Sequence, residues 1–101
     1  MKRRYLALSI DTSEPFSQNT FVDAVWTSVS KLYGEHGASQ INFSLISFDV
    51  QNNTAVIRTN HTGVDLIRAA LACLTKIGGK PAAVHVLRVS GTLKALSKKL
   101  N

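Results

Sequence analysis

The sequence is poor in cysteine, in acidic residues and in long apolar runs, and each scarcity excludes a class of protein. A single cysteine, Cys73, leaves no partner for an internal disulfide and no thiolate set for a zinc site. Flanked by Ala72 and Leu74 in an apolar helical pattern, it reads as a small buried hydrophobe in a reducing compartment. No apolar run approaches the roughly 20 residues that span a bilayer, and Met1-Lys2-Arg3-Arg4 leads into strand-like alternation rather than the apolar core of a signal peptide. A cytoplasmic protein without a membrane role is therefore expected.

Only six Asp and Glu stand against twelve Lys and Arg. The formal charge of +6 points to polyanions, nucleic acid first among them, although charge also serves plain solubility. The acids Asp11, Glu14, Asp23, Glu35, Asp49 and Asp65 are scattered and form no close pair for general acid and base chemistry. His36, His61 and His85 lack the spacing of a metal motif with one another or with Cys73. The glycines form neither a dinucleotide nor a Walker phosphate loop. No intrinsic catalytic residue and no protein-bound cofactor is expected.

What remains is enough for one domain, residues 1–101, with 45% hydrophobic residues and no repeat, low-complexity tract or linker. A chain of this length buries roughly 60 to 65% of its unfolded surface, so it has one modest core. Residues 5 to 11 alternate, Leu6, Leu8 and Ile10 facing one way and Tyr5, Ala7 and Ser9 the other, as in a half-buried strand. Phe21, Val22, Val25, Trp26, Val29, Leu32 and Tyr33 recur at helical spacing, predicting a core helix near 17 to 34 with Ser17 or Thr20 as N-cap and Gly34 as its stop. Between Ile41 and Val50 the alternation Ile41, Phe43, Leu45 changes phase to Ile46, Phe48, Val50, the mark of a bulge or of a strand buried on both faces.

Gln51-Asn52-Asn53 makes a turn, and the β-branched run 54 to 59 returns as a hairpin partner. A second helix is predicted over 61 to 78, with Val64, Ile67, Leu71, Leu74 and Ile77 inward, Lys76 in its last turn and Gly78-Gly79 ending it before Pro81. Residues 82 to 89 form a further strand, with Val84 and Val86 on one face and Leu87 and Val89 on the other. A short basic helix follows Ser90-Gly91-Thr92, carrying Leu93, Leu96 and Leu100 on one side. The order predicts an α+β fold: a ferredoxin-like, RRM-like split β-α-β-β-α-β sandwich with a four-stranded antiparallel sheet, two helices on one face and a short C-terminal helix.

RNA-recognition motifs stack unpaired bases on aromatics of their central strands. The run Thr54-Ala55-Val56-Ile57-Arg58-Thr59 has none, and Phe43 and Phe48 are better explained by core packing, so this pattern does not support stacking readout. Basic residues instead gather at the termini, with Lys2, Arg3 and Arg4 before the first strand and Lys94, Lys98 and Lys99 after the last. In a split βαβ sheet these strands are antiparallel neighbours, which places both groups at one end of the molecule. Such a cluster suits sequence-independent contacts to a phosphate backbone. Ser90-Gly91-Thr92 adds a small-residue helix start whose backbone N–H groups could face an anion; an ordinary N-cap with solvated lysines is the alternative.

Five segments then acquire a common meaning. Lys2-Arg-Arg-Tyr-Leu6, Leu32-Tyr-Gly-Glu-His-Gly37, Ala55-Val-Ile-Arg-Thr59, Leu66-Ile-Arg-Ala-Ala-Leu71 and Val89-Ser-Gly-Thr-Leu-Lys94 resemble, in order and spacing, the archaeal ribonuclease P protein component 2 family. The resemblance runs over nearly the whole chain. It implies a noncatalytic subunit of a ribonucleoprotein that removes the 5′ leader from precursor tRNA, the RNA performing the hydrolysis with Mg2+ bound at the RNA. Arg4 and Tyr5 match the family's opening pair, Arg58 its third-strand basic residue, Arg68 its second-helix arginine, and Ser90, Gly91, Thr92 and Lys94 its terminal motif. With Lys2, Arg3, Lys98 and Lys99 these are the candidate RNA contacts, Tyr5 being equally explained by packing. The chain stops soon after the terminal motif and lacks a long basic leader, so contacts made by such extensions are not expected of it. The resemblance further implies association with ribonuclease P protein component 3, in pairs that assemble two-plus-two. A ferredoxin-like ligand-binding or dimerisation module without an RNA role is the competing reading, for which the sequence supplies no convergent polar pocket.

Overall fold

The computed structural model describes residues 3–41, 43–94 and 96. Strand β1 (Arg3–Thr12) lies in the middle of an antiparallel sheet, bonded on one side to β3 (Thr54–Asn60) and on the other to β5 (Lys80–Ser90). Beyond β3 lies β2 (Ser44–Asp49), and outside β5 lies a two-residue β4 (Lys76–Ile77), giving the order β2-β3-β1-β5-β4. The first and last long strands are neighbours as expected. The sheet has five strands rather than the expected four.

One side of β1 explains the core. Leu6, Leu8 and Ile10 are buried, beside Ala55 and Ile57 of β3 and Val84 of β5. Helix α1 (Gln18–Ser39) adds Phe21, Val25 and Val29 to the same cluster, and α2 (Val64–Cys73) adds Ile67, Ala70 and Leu71. Both helices thus cover one face of the sheet. Each large side chain taken fully from water contributes about 1.5–3 kcal/mol before the cost of ordering it, so this cluster dominates the stabilising side.

Ser17 is the N-cap of α1, its hydroxyl accepting from the Thr20 N–H at 3.1 Å. Gly34 does not stop the helix. With φ of 72° it makes a kink, after which helical residues continue to Ser39. Leu32, expected on the buried stripe, is 44% exposed, whereas Trp26 is half-buried and meets Phe43 edge-on at 5.3 Å. Phe48 joins Phe16 and Phe21 at 5.5 and 6.0 Å, which confirms core packing as its role.

The phase change in β2 is a bulge. Leu45 opposes Ile57 and Ser47 opposes Val56, so Ile46 is the extra residue and stands 37% exposed. A second bulge in β5 corrects the expected faces of that strand. Ala7 opposes Arg88 and Leu8 opposes Val86, so Leu87 is extra, and Val89, opposite the core residue Leu6, lies on the Val86 side rather than with Leu87.

The second helix differs most from expectation. A 3-10 turn at His61–Gly63 leads into α2, which ends at Cys73, not near residue 78. Leu74 is already extended, Lys76 and Ile77 form β4, and Gly78-Gly79 is the turn into β5, with φ of 60° and 81°. Positive φ at both central residues of a two-residue hairpin loop is the primed geometry that glycine satisfies without strain. Pro81 consequently sits inside β5, paired with Lys76 at the sheet edge, where its missing N–H is tolerated. Cys73 is exposed, contrary to its expected burial, because Ala70, Leu71 and Leu74 occupy the inner side of that turn. After β5, Leu93, Lys94 and Leu96 are helical, with Leu96 buried and Leu93 42% exposed. Leu100 lies outside the described residues. Among those residues no helix is long and apolar enough to cross a membrane.

Candidate RNA interface

Antiparallel pairing of β1 with β5 puts the start of one beside the end of the other, with Tyr5 opposite Ser90. The same row continues to Arg58, which opposes Tyr5 from β3. Arg3 is exposed at the head of β1, and the half-buried Arg4 bends back, its Nη1 donating to the Arg3 carbonyl at 3.1 Å. That Nη1 lies 3.5 Å from where a side chain on Gly91 would begin. Arg3, Arg4, Ser90, Gly91, Thr92 and the exposed Lys94 therefore converge at one end of the sheet. Lys2, Lys98 and Lys99 lie outside the described residues.

Local geometry favours the capping explanation for part of the terminal tripeptide. The Ser90 hydroxyl accepts from the Thr92 N–H at 3.4 Å, and the Thr92 carbonyl accepts from the Leu96 N–H at 3.2 Å. Ser90 and Thr92 thus start the terminal helix, and the Thr92 N–H is already engaged within the protein. Arg68 is not part of this end. It is exposed on α2, in the helical layer, whereas Arg58 faces outward from the opposite side of the sheet.

Sequence reasoning missed Arg88. Strict alternation from Val84 and Val86 would turn Arg88 toward the core, but the Leu87 bulge rotates it outward, opposite Ala7. The signal was present in the run Val84-His85-Val86-Leu87-Arg88-Val89, since an arginine among core valines needs such a phase change. Arg3, Arg4, Arg58 and Arg88 make no ion pair among the described residues, where the sole pair joins Lys80 to Glu14 at 3.3 Å.

Three of the acids, Asp11, Glu14 and Asp49, lie at the other end of the sheet, whereas Asp65 opens α2 shortly after Asn60, the residue opposite Arg3. Asp49 closes the β2–β3 turn by accepting from Asn52 Nδ2 at 2.7 Å and from the Asn52 and Gln51 N–H groups at 3.2 and 3.0 Å. These bonds, the Asn52 side chain foremost, hold its carboxyl below the ordinary value of 3.8. A cleft of about 520 Å³ opens between α1, the end of α2 and the Gly78-Gly79 turn, with Asp23, Lys31, Cys73 and Lys76 on its wall. It adjoins the Lys80 end of β5, roughly 30 Å along that strand from Ser90, so it is no part of the basic end.

Comparison with known proteins agrees in extent with the resemblance in the sequence. The Rpp14/Pop5 family matches residues 4–101. Ribonuclease P protein component 2 of Methanosarcina mazei is 41% identical over 98 residues, covering 97% of this chain and 83% of the relative. The protein of the same name from Pyrococcus horikoshii is 32% identical over 98 residues, with 97% and 82% covered. A chain in the cryo-EM structure of yeast ribonuclease MRP superposes with a TM-score of 0.77 at 20% identity, over 98% of this chain and 88% of that one, and so shares its fold. The chain belongs to the Rpp14/Pop5 family.

Proposed function

We propose that the chain is a protein component 2 of ribonuclease P, a noncatalytic subunit that grips the catalytic RNA and supports its removal of 5′ leaders from precursor tRNA. The observation that carries this, beside family membership, is the placing of Arg3 and Arg4 at the start of β1 beside the end of β5, the Arg4 guanidinium against Gly91 and Lys94 just beyond, with no ion pair to any of them among the described residues. Each cation placed against a phosphate releases condensed counterions, so such an end adds affinity without reading sequence. Neutralising phosphates lets RNA helices approach one another and lowers the Mg2+ the RNA needs to hold its active conformation. Hydrolysis remains with the RNA and its metal ions.

Within this reading the strand order of β2, β3, β1 and β5 is the ferredoxin-like split βαβ arrangement, to which β4 adds a short edge. Ribonuclease P protein component 3 is the expected protein partner, in pairs that self-associate two-plus-two in the cytoplasm. The experiment is reconstitution with the cognate RNA and component 3. Adding this chain should lower the Mg2+ required for precursor tRNA cleavage, whereas the chain without RNA should cleave nothing. Cleavage by RNA-free protein, or an unchanged Mg2+ requirement, would refute the assignment.

A further inference from the structure

The helices cover one face of the sheet, and the other face is closed at its centre. The row Ser47, Val56, Ala7, Arg88 crosses that second face from β2 to β5. Ser47 and Arg88 at its ends are exposed and Val56 is half-buried, yet Ala7 is 2% exposed. Leu6 and Leu8, on either side of Ala7 in β1, belong to the helix-side core, so Ala7 points the opposite way. Of the buried apolar residues described, Ala7 and Leu96 alone stand outside that core, and Leu96 is 1% exposed. Ser90, where β5 ends, lies opposite Tyr5, two residues or roughly 7 Å along β1 from Ala7. Gly91 and Thr92 then turn the chain, and the Leu96 N–H donates to the Thr92 carbonyl at 3.2 Å to close one helical turn. Among the described residues the cover within reach of Ala7 is therefore Leu96, and the two make a second small core on the far face.

That small core fixes the place of a charge. Residues of a helix advance by about 100° each, so Lys94, two before Leu96, stands on the opposite side of the turn. With Leu96 down on the sheet, Lys94 points away from it, in keeping with its exposure. The start of the turn is tied as well. The Ser90 hydroxyl accepts from the Thr92 N–H at 3.4 Å, and the Arg4 guanidinium lies against Gly91. A single helical turn is not stable by itself, so without the Leu96 anchor the backbone carrying Lys94 would sample many arrangements. The small side chain of Ala7 matters for the same reason, since bulk there would lift Leu96 from the sheet.

We propose that Leu96 is a positioning residue for RNA binding: seated on Ala7, it locks the terminal turn across the far face and holds Lys94 just beyond Arg4 and Gly91, as part of one preorganised phosphate-binding end. This rests on the ribonuclease P reading and deepens it, because it names an apolar residue, remote from any phosphate, on which the grip of the basic end depends. Fixing the backbone under a cation before the RNA arrives spares the cost of ordering it at the moment of binding. Leu96 thus adds affinity through Lys94 while touching no RNA itself.

The test is a double-mutant cycle on the full chain, binding the cognate catalytic RNA across a salt series. Lys94→Ala in the parent should make the dependence of log affinity on log salt shallower by up to about 0.9, the share of one phosphate. Leu96→Ala, which removes no charge, should do the same. In the Leu96→Ala background, Lys94→Ala should then change affinity by no more than about twofold, because the lysine has already lost its place. Leu96→Met keeps the volume and should retain the parent's slope, whereas Ala7→Leu should reproduce Leu96→Ala from the other side of the contact. Melting temperatures on the same samples ensure that folded fractions are compared, and Leu96→Val serves as the milder truncation if Leu96→Ala does not fold. Equal effects of Lys94→Ala in both backgrounds, no effect of Lys94→Ala in the parent, or a lowered melting temperature of Leu96→Ala with the parent's salt slope would each overturn the proposal and leave Leu96 a structural plug. A parent chain that binds the RNA without salt dependence would instead refute the RNA grip itself, a failure distinct from that of the positioning role.

Discussion

At residue scale, the junction between β3 and α2 combines a tight packing requirement with an unmet polar group. A Cβ on Gly63 would lie 2.6 Å from Asn60 Oδ1 and 2.8 Å from Thr59 Oγ1. Gly63→Ala should therefore destabilise the protein by about 1–3 kcal/mol, the usual range for overpacking, as read by chemical denaturation. The Thr59 hydroxyl is buried without a hydrogen-bond partner among the described residues. Exchanging it for a methyl group removes a desolvated donor and conserves shape, so Thr59→Val should leave stability equal or raise it by about 1 kcal/mol. A clear drop in the unfolding midpoint of Thr59→Val would mean that the hydroxyl has a partner after all. Neither requirement is legible in the sequence, because Thr59-Asn60-His61-Thr62-Gly63 shows only that a strand gives way to a helix.

At element scale, periodicity identified every long element, and the departures share a cause. Tertiary packing decides what a glycine or a phase change does. Gly78-Gly79 fits a helix stop and a two-residue hairpin equally well as sequence, and it is the extended Leu74 and the pairing of Ile77 with Lys80 that select the hairpin. The same ambiguity hid the Leu87 bulge, whereas the double apolar phase between Ile41 and Val50 announced the one at Ile46. The β2–β3 turn carries a pH dependence with a definite sign. Asp49 has a lowered pKa in the folded state, so its contribution is present above the unfolded value and is lost as pH falls through the folded one. Asp49→Ala should lower the melting temperature at neutral pH, and the gap to the parent should close at about pH 2. A gap that persists undiminished in acid would assign the effect to something other than the carboxylate.

At the scale of the whole molecule, the sequence located the basic end correctly for Arg3, Arg4, Tyr5, Ser90, Gly91 and Lys94, because neighbouring antiparallel strands follow from the element order alone. It could not show that Arg58 and Arg88 flank Tyr5 while Arg68 lies on the far layer, since that depends on strand register and on a bulge. The molecule thus has a cationic end and a helical layer that builds the core. The most direct measurement is the affinity of the full chain for the catalytic RNA across a salt series, compared between the parent, an Arg3, Arg4 and Lys94 triple alanine variant, and a control with Lys31 and Lys76 replaced by alanine beside the remote cleft. The parent should show a steep linear fall of log affinity with log salt, the triple variant a slope shallower by up to about 0.9 for each phosphate it no longer neutralises, and the control the parent's slope. A flat slope for the parent, or equal slopes for the triple variant and the parent, would contradict an RNA-facing basic end.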